Sequence, residues 1–211
     1  MNQYLTEFFD LSPELLTLAD RCEEQCGAVF GRIDGIAAYN EAKVLAAFGR
    51  HKISAAHLTG SNGYGYDDLG RDTLDKVFAD VFEAEDALVR HTFVSGTHAL
   101  TVALFGGLRA GDKMVAVTGA PYDTLEEVIG IRGKGNGSLR DFGVSYDQVD
   151  LLPNGEPDIP AIRKAVKGAK LAHIQRSRGY ATRPSLSVAK IGEIIAAIKA
   201  VSPETIVFVD N

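Results

Sequence analysis

The residues best suited to chemistry come in a fixed order along this 211-residue chain: Ser95-Gly96-Thr97, then Tyr122 within Gly119-Ala120-Pro121-Tyr122-Asp123-Thr124, then Asp210 closing Thr205-Ile206-Val207-Phe208-Val209-Asp210. A helix that opens on Gly96 and Thr97 turns unpaired backbone N–H groups, and about half a positive charge, toward whatever precedes it, which suits a phosphate. Tyr122 offers a flat face on which stacking contributes about 0.5–1.5 kcal/mol beyond burial. An acid at a strand end suits a protonated nitrogen. Pyridoxal phosphate carries all three groups, and a charged partner at its ring nitrogen makes it an electron sink. Singly, each residue has a plainer role: Ser95 as a helix cap, Tyr122 as a packing aromatic, Asp210 as a strand end. Their order along one sheet edge favours the site.

Stepping outward, the elements that must position these residues alternate. The patterning predicts strands over 87–93, 113–118, 144–149, 171–175 and 205–210, with helices over 96–108, 124–131, 159–166 and 188–201 between them. Such alternation implies a mostly parallel α/β sheet with helices on both faces, whose ligands gather at the C-terminal strand ends. The turn after Phe93, the turn after Thr118, and Asp210 are expected at such ends.

Upstream, residues 12–48 read as an amphipathic N-terminal helical arm, opened by Ser12-Pro13-Glu14 and divided into more than one helix at Gly31 and Gly35. Next comes Gly60-Ser61-Asn62-Gly63-Tyr64-Gly65-Tyr66-Asp67-Asp68-Leu69-Gly70, too irregular for helix or strand, then a helix over 73–82. The tyrosines tilt this loop toward a functional role, with Asp67 and Asp68 as solvated acids. Gly133-Lys134-Gly135-Asn136-Gly137 reads as a second loop. By composition the chain divides into an arm (1–59), a glycine- and tyrosine-rich loop (60–72) and a cofactor-binding large domain (73–211).

Composition narrows the partners. A net charge of -6, with both signs mixed along the chain, gives no basic surface for nucleic acid or anionic lipid. Cys22 and Cys26 have neither a disulfide framework nor a second ligand pair, which fits a reducing, cytoplasmic setting and argues against a metal site. No basic leader or spanning apolar run stands out, so a membrane partner is not expected. A nicotinamide site is disfavoured, since no strand opens into Gly-x-Gly-x-x-Gly.

Several separated motifs, Tyr64–Asp72, Glu85–Arg90, Ser95–Leu100, Gly119–Glu126 and Gln175-Arg176-Ser177-Arg178-Gly179-Tyr180, closely resemble those of the aluminium-resistance or methionine gamma-lyase-like proteins, described as cystathionine beta-lyases. The resemblance implies the large domain of a fold-type-I pyridoxal phosphate enzyme that cleaves carbon–sulfur bonds in small sulfur-containing amino acids. On that resemblance Ser95, Gly96 and Thr97 hold the phosphate, Tyr122 stacks on the ring and Asp210 pairs with its nitrogen. It also implies that Tyr66 and Arg71 reach a neighbouring subunit's phosphate in a homodimer or tetramer, that Ser177 lies near the cofactor's ring oxygen, and that Arg178 meets the substrate. The Tyr66-to-Arg71 spacing is wider than in better-known enzymes of this kind.

Such an enzyme also needs a Schiff-base lysine after the ring-binding aspartate, and no lysine follows Asp210. The expectation is therefore that these residues form the N-terminal part of a longer polypeptide, whose remainder supplies the lysine and a small C-terminal domain. The same cofactor would equally serve a transaminase, racemase or aldolase. A non-catalytic cofactor-binding fragment is the alternative from another class.

Overall fold

The computed structural model describes residues 4–62, 64, 66, 68–134 and 137–211. Gly63, Gly65 and Asp67 of the first loop, and Gly135 and Asn136 of the second, lie outside the described residues. By its internal contacts the chain divides into two compact units, Met1–His91 and Thr92–Asn211.

In the first unit a short helix α1 (Leu5–Phe8) precedes α2 (Pro13–Arg50), one unbroken helix of 38 residues. The expected break at Gly31 and Gly35 does not occur. A helical glycine costs about 1 kcal/mol relative to alanine, too little to interrupt a run of good helix formers already started by Pro13 and by Ser12, whose Oγ accepts from Leu15 N at 3.2 Å. Most of α2 is exposed, including Leu15, Leu18, Phe30, Ile33 and Ile36, and Ala47 is its one fully buried residue.

A 3-10 turn (Ala55–Leu58) leads to α3 (Leu69–Phe82), capped by Asp68, whose Oδ1 accepts from Arg71 N at 3.0 Å. The two long helices are joined by charge: Arg50 donates twice to Asp80 at 2.8 Å, and Lys43 meets Glu83 at 3.1 Å. The apolar run 87–93 forms no strand. Its backbone is drawn to α3 instead, Val89 N donating to Asp75 Oδ1 at 2.8 Å while Arg90 pairs with the same carboxylate at 2.7 Å. Apolar residues favour an extended chain, but only a neighbouring ladder makes it a strand.

The second unit is a parallel sheet in the order β2-β1-β3-β4, with β1 (Lys113–Ala116), β2 (Ser145–Gln148), β3 (Leu171–Gln175) and β4 (Ile206–Asp210). Helices α4 (Gly96–Gly107), α5 (Asp123–Ile129), α6 (Ile159–Ala165) and α7 (Val188–Val201) connect and cover it. Strand alternation sorts the core into two layers. Val115, Val117, Ala172 and Ile174 pack with Ile162, Ile194 and Ile198 of α6 and α7, while Met114 and Leu171 pack with Leu104, Leu125 and Ile129 of α4 and α5. Each fully buried Leu or Ile contributes about 1.5–3 kcal/mol. β4 is the edge strand of this sheet, and its residues from Val207 onward are half-buried.

His173, in the middle of β3, is fully buried and stacks on Phe208 with ring centroids 5.8 Å apart. Neither ring nitrogen has a hydrogen-bond partner among the described residues, and burial pulls its pKa down to about 4. Between pH 6.5 and 4 the unfolded chain therefore takes up a proton that the folded chain refuses, and stability falls as the pH drops through that window, by on the order of 3 kcal/mol. We expect His173→Leu to flatten this dependence, read as urea midpoints at pH 7 and pH 4.5. Parallel losses in parent and variant would remove His173 as the cause.

Candidate functional site

The site is built where α4 begins. Ser95 is extended (φ -161°, ψ 165°), and its Oγ accepts from His98 N at 3.1 Å. His98 Nδ1 in turn accepts from Val94 N at 3.3 Å, so this histidine fastens the turn. The N–H groups of Gly96 and Thr97 have no acceptor within the helix. At Gly96 an added Cβ would meet no atom within 4 Å, and the backbone does not adopt the left-handed conformation. Neither packing nor backbone demands glycine there, which leaves open space at the positive end of the helix.

A direct contact joins α4 to α5: Thr97 Oγ1 lies 2.8 Å from Thr124 Oγ1. Tyr122 stands at the N-cap of α5, after a turn through Gly119 (φ 87°), and its carbonyl accepts from Leu125 N at 2.8 Å. Its half-buried ring stacks with Tyr180 at 6.2 Å. Gly179 (φ 54°) passes so close that a Cβ there would lie 3.3 Å from two carbons of the Tyr122 ring. Glycine is favoured at this crossing by its positive φ, and a side chain there would press on the Tyr122 ring.

The same turn leads to the end of β3. Gln175 N donates to Thr118 Oγ1 at 2.9 Å, and its side-chain Nε2 donates to the carbonyl of Ser177 at 3.2 Å. Arg183 fastens the turn further, donating to the Ser177 carbonyl at 2.7 Å and the Gln175 carbonyl at 3.3 Å. Gln175 pairs in register with Asp210, whose carbonyl accepts from Arg176 N at 2.9 Å. Asp210 is half-buried, and burial pushes its carboxyl pKa above the usual carboxylate value. A cationic neighbour would reverse that shift.

The structure thus brings Ser95, Gly96, Thr97, Tyr122, Ser177 and Asp210 to one rim of the second unit, linked through Thr124, Gly179 and Gln175. Of the three positions expected at strand ends, the turn after Thr118 and Asp210 are found there, and no strand precedes Ser95 among the described residues. Ser177 contributes its carbonyl, and its side chain is exposed, as is Arg178. Arg176 is committed to the turn, reaching the Leu186 carbonyl at 3.3 Å and Asn211 Oδ1 at 2.6 Å. Tyr66 and Arg71 belong to the first unit, where Tyr66 is exposed and Arg71 Nε lies 3.6 Å from Asp72. Gln175, the first residue of the motif Gln175–Tyr180, and Thr118 are rim residues to which the sequence assigned no role. The signal was present in the alternation Leu171, His173, Gln175, which puts polar side chains on one face of a fully buried strand.

These residues fit a planar, phosphorylated molecule with a protonated nitrogen: an anion-seeking helix end with room beside it, an aromatic ring, and a desolvated acid. Fold and rim together are those of a parallel α/β domain.

The chain belongs to the methionine gamma-lyase family, whose model matches residues 15–211. It is 48% identical to YnbB of Bacillus subtilis (strain 168) over 90% of this chain and 45% of that protein. A Listeria innocua protein proposed to be a cystathionine beta-lyase involved in aluminium resistance superposes with a TM-score of 0.90 and 52% identity, covering 95% of this chain and 49% of that one. The fold extends to the pyridoxal-5'-phosphate-dependent protein YhfS of Escherichia coli, at a TM-score of 0.59 and 21% identity over 82% of this chain and 43% of that one. The chain spans about half the length of these relatives. Among the described residues no helix is long and apolar enough to cross a membrane.

The open space at Gly96 generates a test. Gly96→Ala is expected to raise the stability of the ligand-free protein by about 0.5 kcal/mol, while the new methyl weakens binding of pyridoxal phosphate about tenfold or more by crowding the helix end. Thermal unfolding and equilibrium titration read the two effects separately. Unchanged affinity would move the anion away from Gly96.

Proposed function

We propose that this protein acts as a pyridoxal phosphate-dependent carbon–sulfur lyase on small sulfur-containing amino acids. The observation that carries this reading is the register Gln175↔Asp210, which sets a desolvated acid on the rim that also holds Tyr122 and the N-terminus of α4. The family and the relatives' names support the reaction class.

When bound, the cofactor supplies an electron sink that stabilises a carbanion at the substrate's α carbon and lets a thiol depart from the β or γ carbon. Backbone N–H groups of Gly96 and Thr97, with Ser95 beside them, hold the phosphate. Tyr122 orients the ring by stacking. Asp210 holds a proton on the ring nitrogen, and its partial burial strengthens that pairing because little water competes. Ser177 would meet the ring oxygen, and the exposed Arg178 is suited to a substrate carboxylate, which its planar fork can grip with two hydrogen bonds. Tyr66 and Arg71 reach the phosphate of a neighbouring copy in a homodimer or tetramer. The covalent lysine is not assigned to any residue of this chain.

Incubation with cystathionine or methionine should release pyruvate or 2-oxobutanoate with ammonia and a thiol. Amino acid product without thiol would instead favour transaminase, racemase or aldolase chemistry, and no turnover together with no cofactor binding would refute the proposal. Asp210→Asn is expected to lower turnover about a hundredfold or more, in keeping with loss of a preorganised charge. Arg71→Ala should weaken cofactor retention about tenfold, as loss of a charged hydrogen bond would, without unfolding the protein. Full retention would take Arg71 out of the site.

A further inference from the structure

Gln175 is nearly completely buried, and every polar atom it carries is engaged except one. Its N–H donates to Thr118 Oγ1 (2.9 Å), its carbonyl accepts from Arg183 (3.3 Å), and Nε2 donates to the Ser177 carbonyl (3.2 Å). Side-chain Oε1 is buried with no hydrogen-bond partner among the described residues. The Ser177 carbonyl can take only a donor, so it fixes which end of the amide is which and leaves the acceptor end free.

What stands beside that free acceptor is a second acceptor. Asp210 is the register partner of Gln175 on the adjacent parallel strand, and period-two alternation from the stacked pair His173 and Phe208 places both side chains on the same face of the sheet. Strands lie about 4.8 Å apart, so one donor group can serve both. Two desolvated acceptors side by side are unfavourable unless a donor joins them.

We propose that Gln175 is a ligand-contacting residue of this rim, its Oε1 sharing with Asp210 a hydrogen bond from a protonated nitrogen of the bound molecule. That nitrogen is the ring nitrogen of the cofactor, the group that Asp210 meets in the proposed function. The inference rests on the pyridoxal phosphate reading given above. It assigns the amide a recognition role that its structural contacts through N, O and Nε2 do not require.

The test is Gln175→Met, which keeps the length of the side chain and removes the acceptor together with the Nε2 donor. The Ser177 carbonyl keeps Arg183 as a donor at 2.7 Å, and an unsatisfied buried acceptor is removed, so the ligand-free variant should unfold near the parent's temperature. Its affinity for pyridoxal 5'-phosphate, measured by equilibrium dialysis, should fall about tenfold or more.

Binding of pyridoxal 5'-phosphate within twofold of the parent would overturn the proposal, whatever the unfolding temperature, and would leave Gln175 as a structural fastening of the turn. If Gln175→Met does not fold, Gln175→Asn, which withdraws the amide by one carbon, must show the same loss of affinity, and retained affinity overturns the idea equally. A parent protein that fails to bind pyridoxal phosphate would refute the proposed function. A parent that binds it, beside a variant that binds as well, would refute only the role of Gln175.

Discussion

The rim of the second unit depends on the ladder between β3 and β4. Five residue pairs, from Leu171↔Ile206 to Gln175↔Asp210, fix which face Asp210 presents. Because the side-chain period of a strand is two, a slip of one residue would turn Asp210 toward the layer of α6 and α7 and bring Val209 to the rim. The hydrophobic layers prevent it: Phe208 must meet the core under α4 and α5, and Val207 and Val209 the core under α6 and α7. The position of a single acid is thus set by the burial of residues that never touch a ligand.

Much of this architecture was legible because the signals were periodic. β3 and α7 fall where alternation and helical spacing put them, and the helix at Gly96 starts at its serine cap. Failures came where a local pattern admitted two outcomes. The run 87–93 has the composition of a strand, but Asp75 takes the Val89 N–H and the Arg90 guanidinium, a contact between residues that spacing alone does not connect. Glycines at 31 and 35 signalled a break, and the helix absorbed them. At the rim, residue types identified Tyr122 and Asp210, but Gln175 became visible only once its neighbours showed three of its polar atoms used and one left over.

Polar burial on β3 has a coherent cost. His173 and Gln175 occupy successive inward positions on one face, and both hold atoms without partners. An interior built for stability alone would place apolar residues there. That the strand carries them directly beneath and at the rim is the pattern expected where stability is set against recognition.

The stack of Tyr180 on Tyr122 has a further meaning for affinity. Tyr122 does not wait bare for a flat guest, since the turn carrying Gly179 and Tyr180 already lies on its ring. Any planar molecule settling on that same face enters by substitution: one aromatic contact is surrendered as another forms. The gain is then the difference between two similar stacks, a small quantity, and discrimination among flat molecules shifts to what lies at their edges, the phosphate on one side and the charged nitrogen on the other.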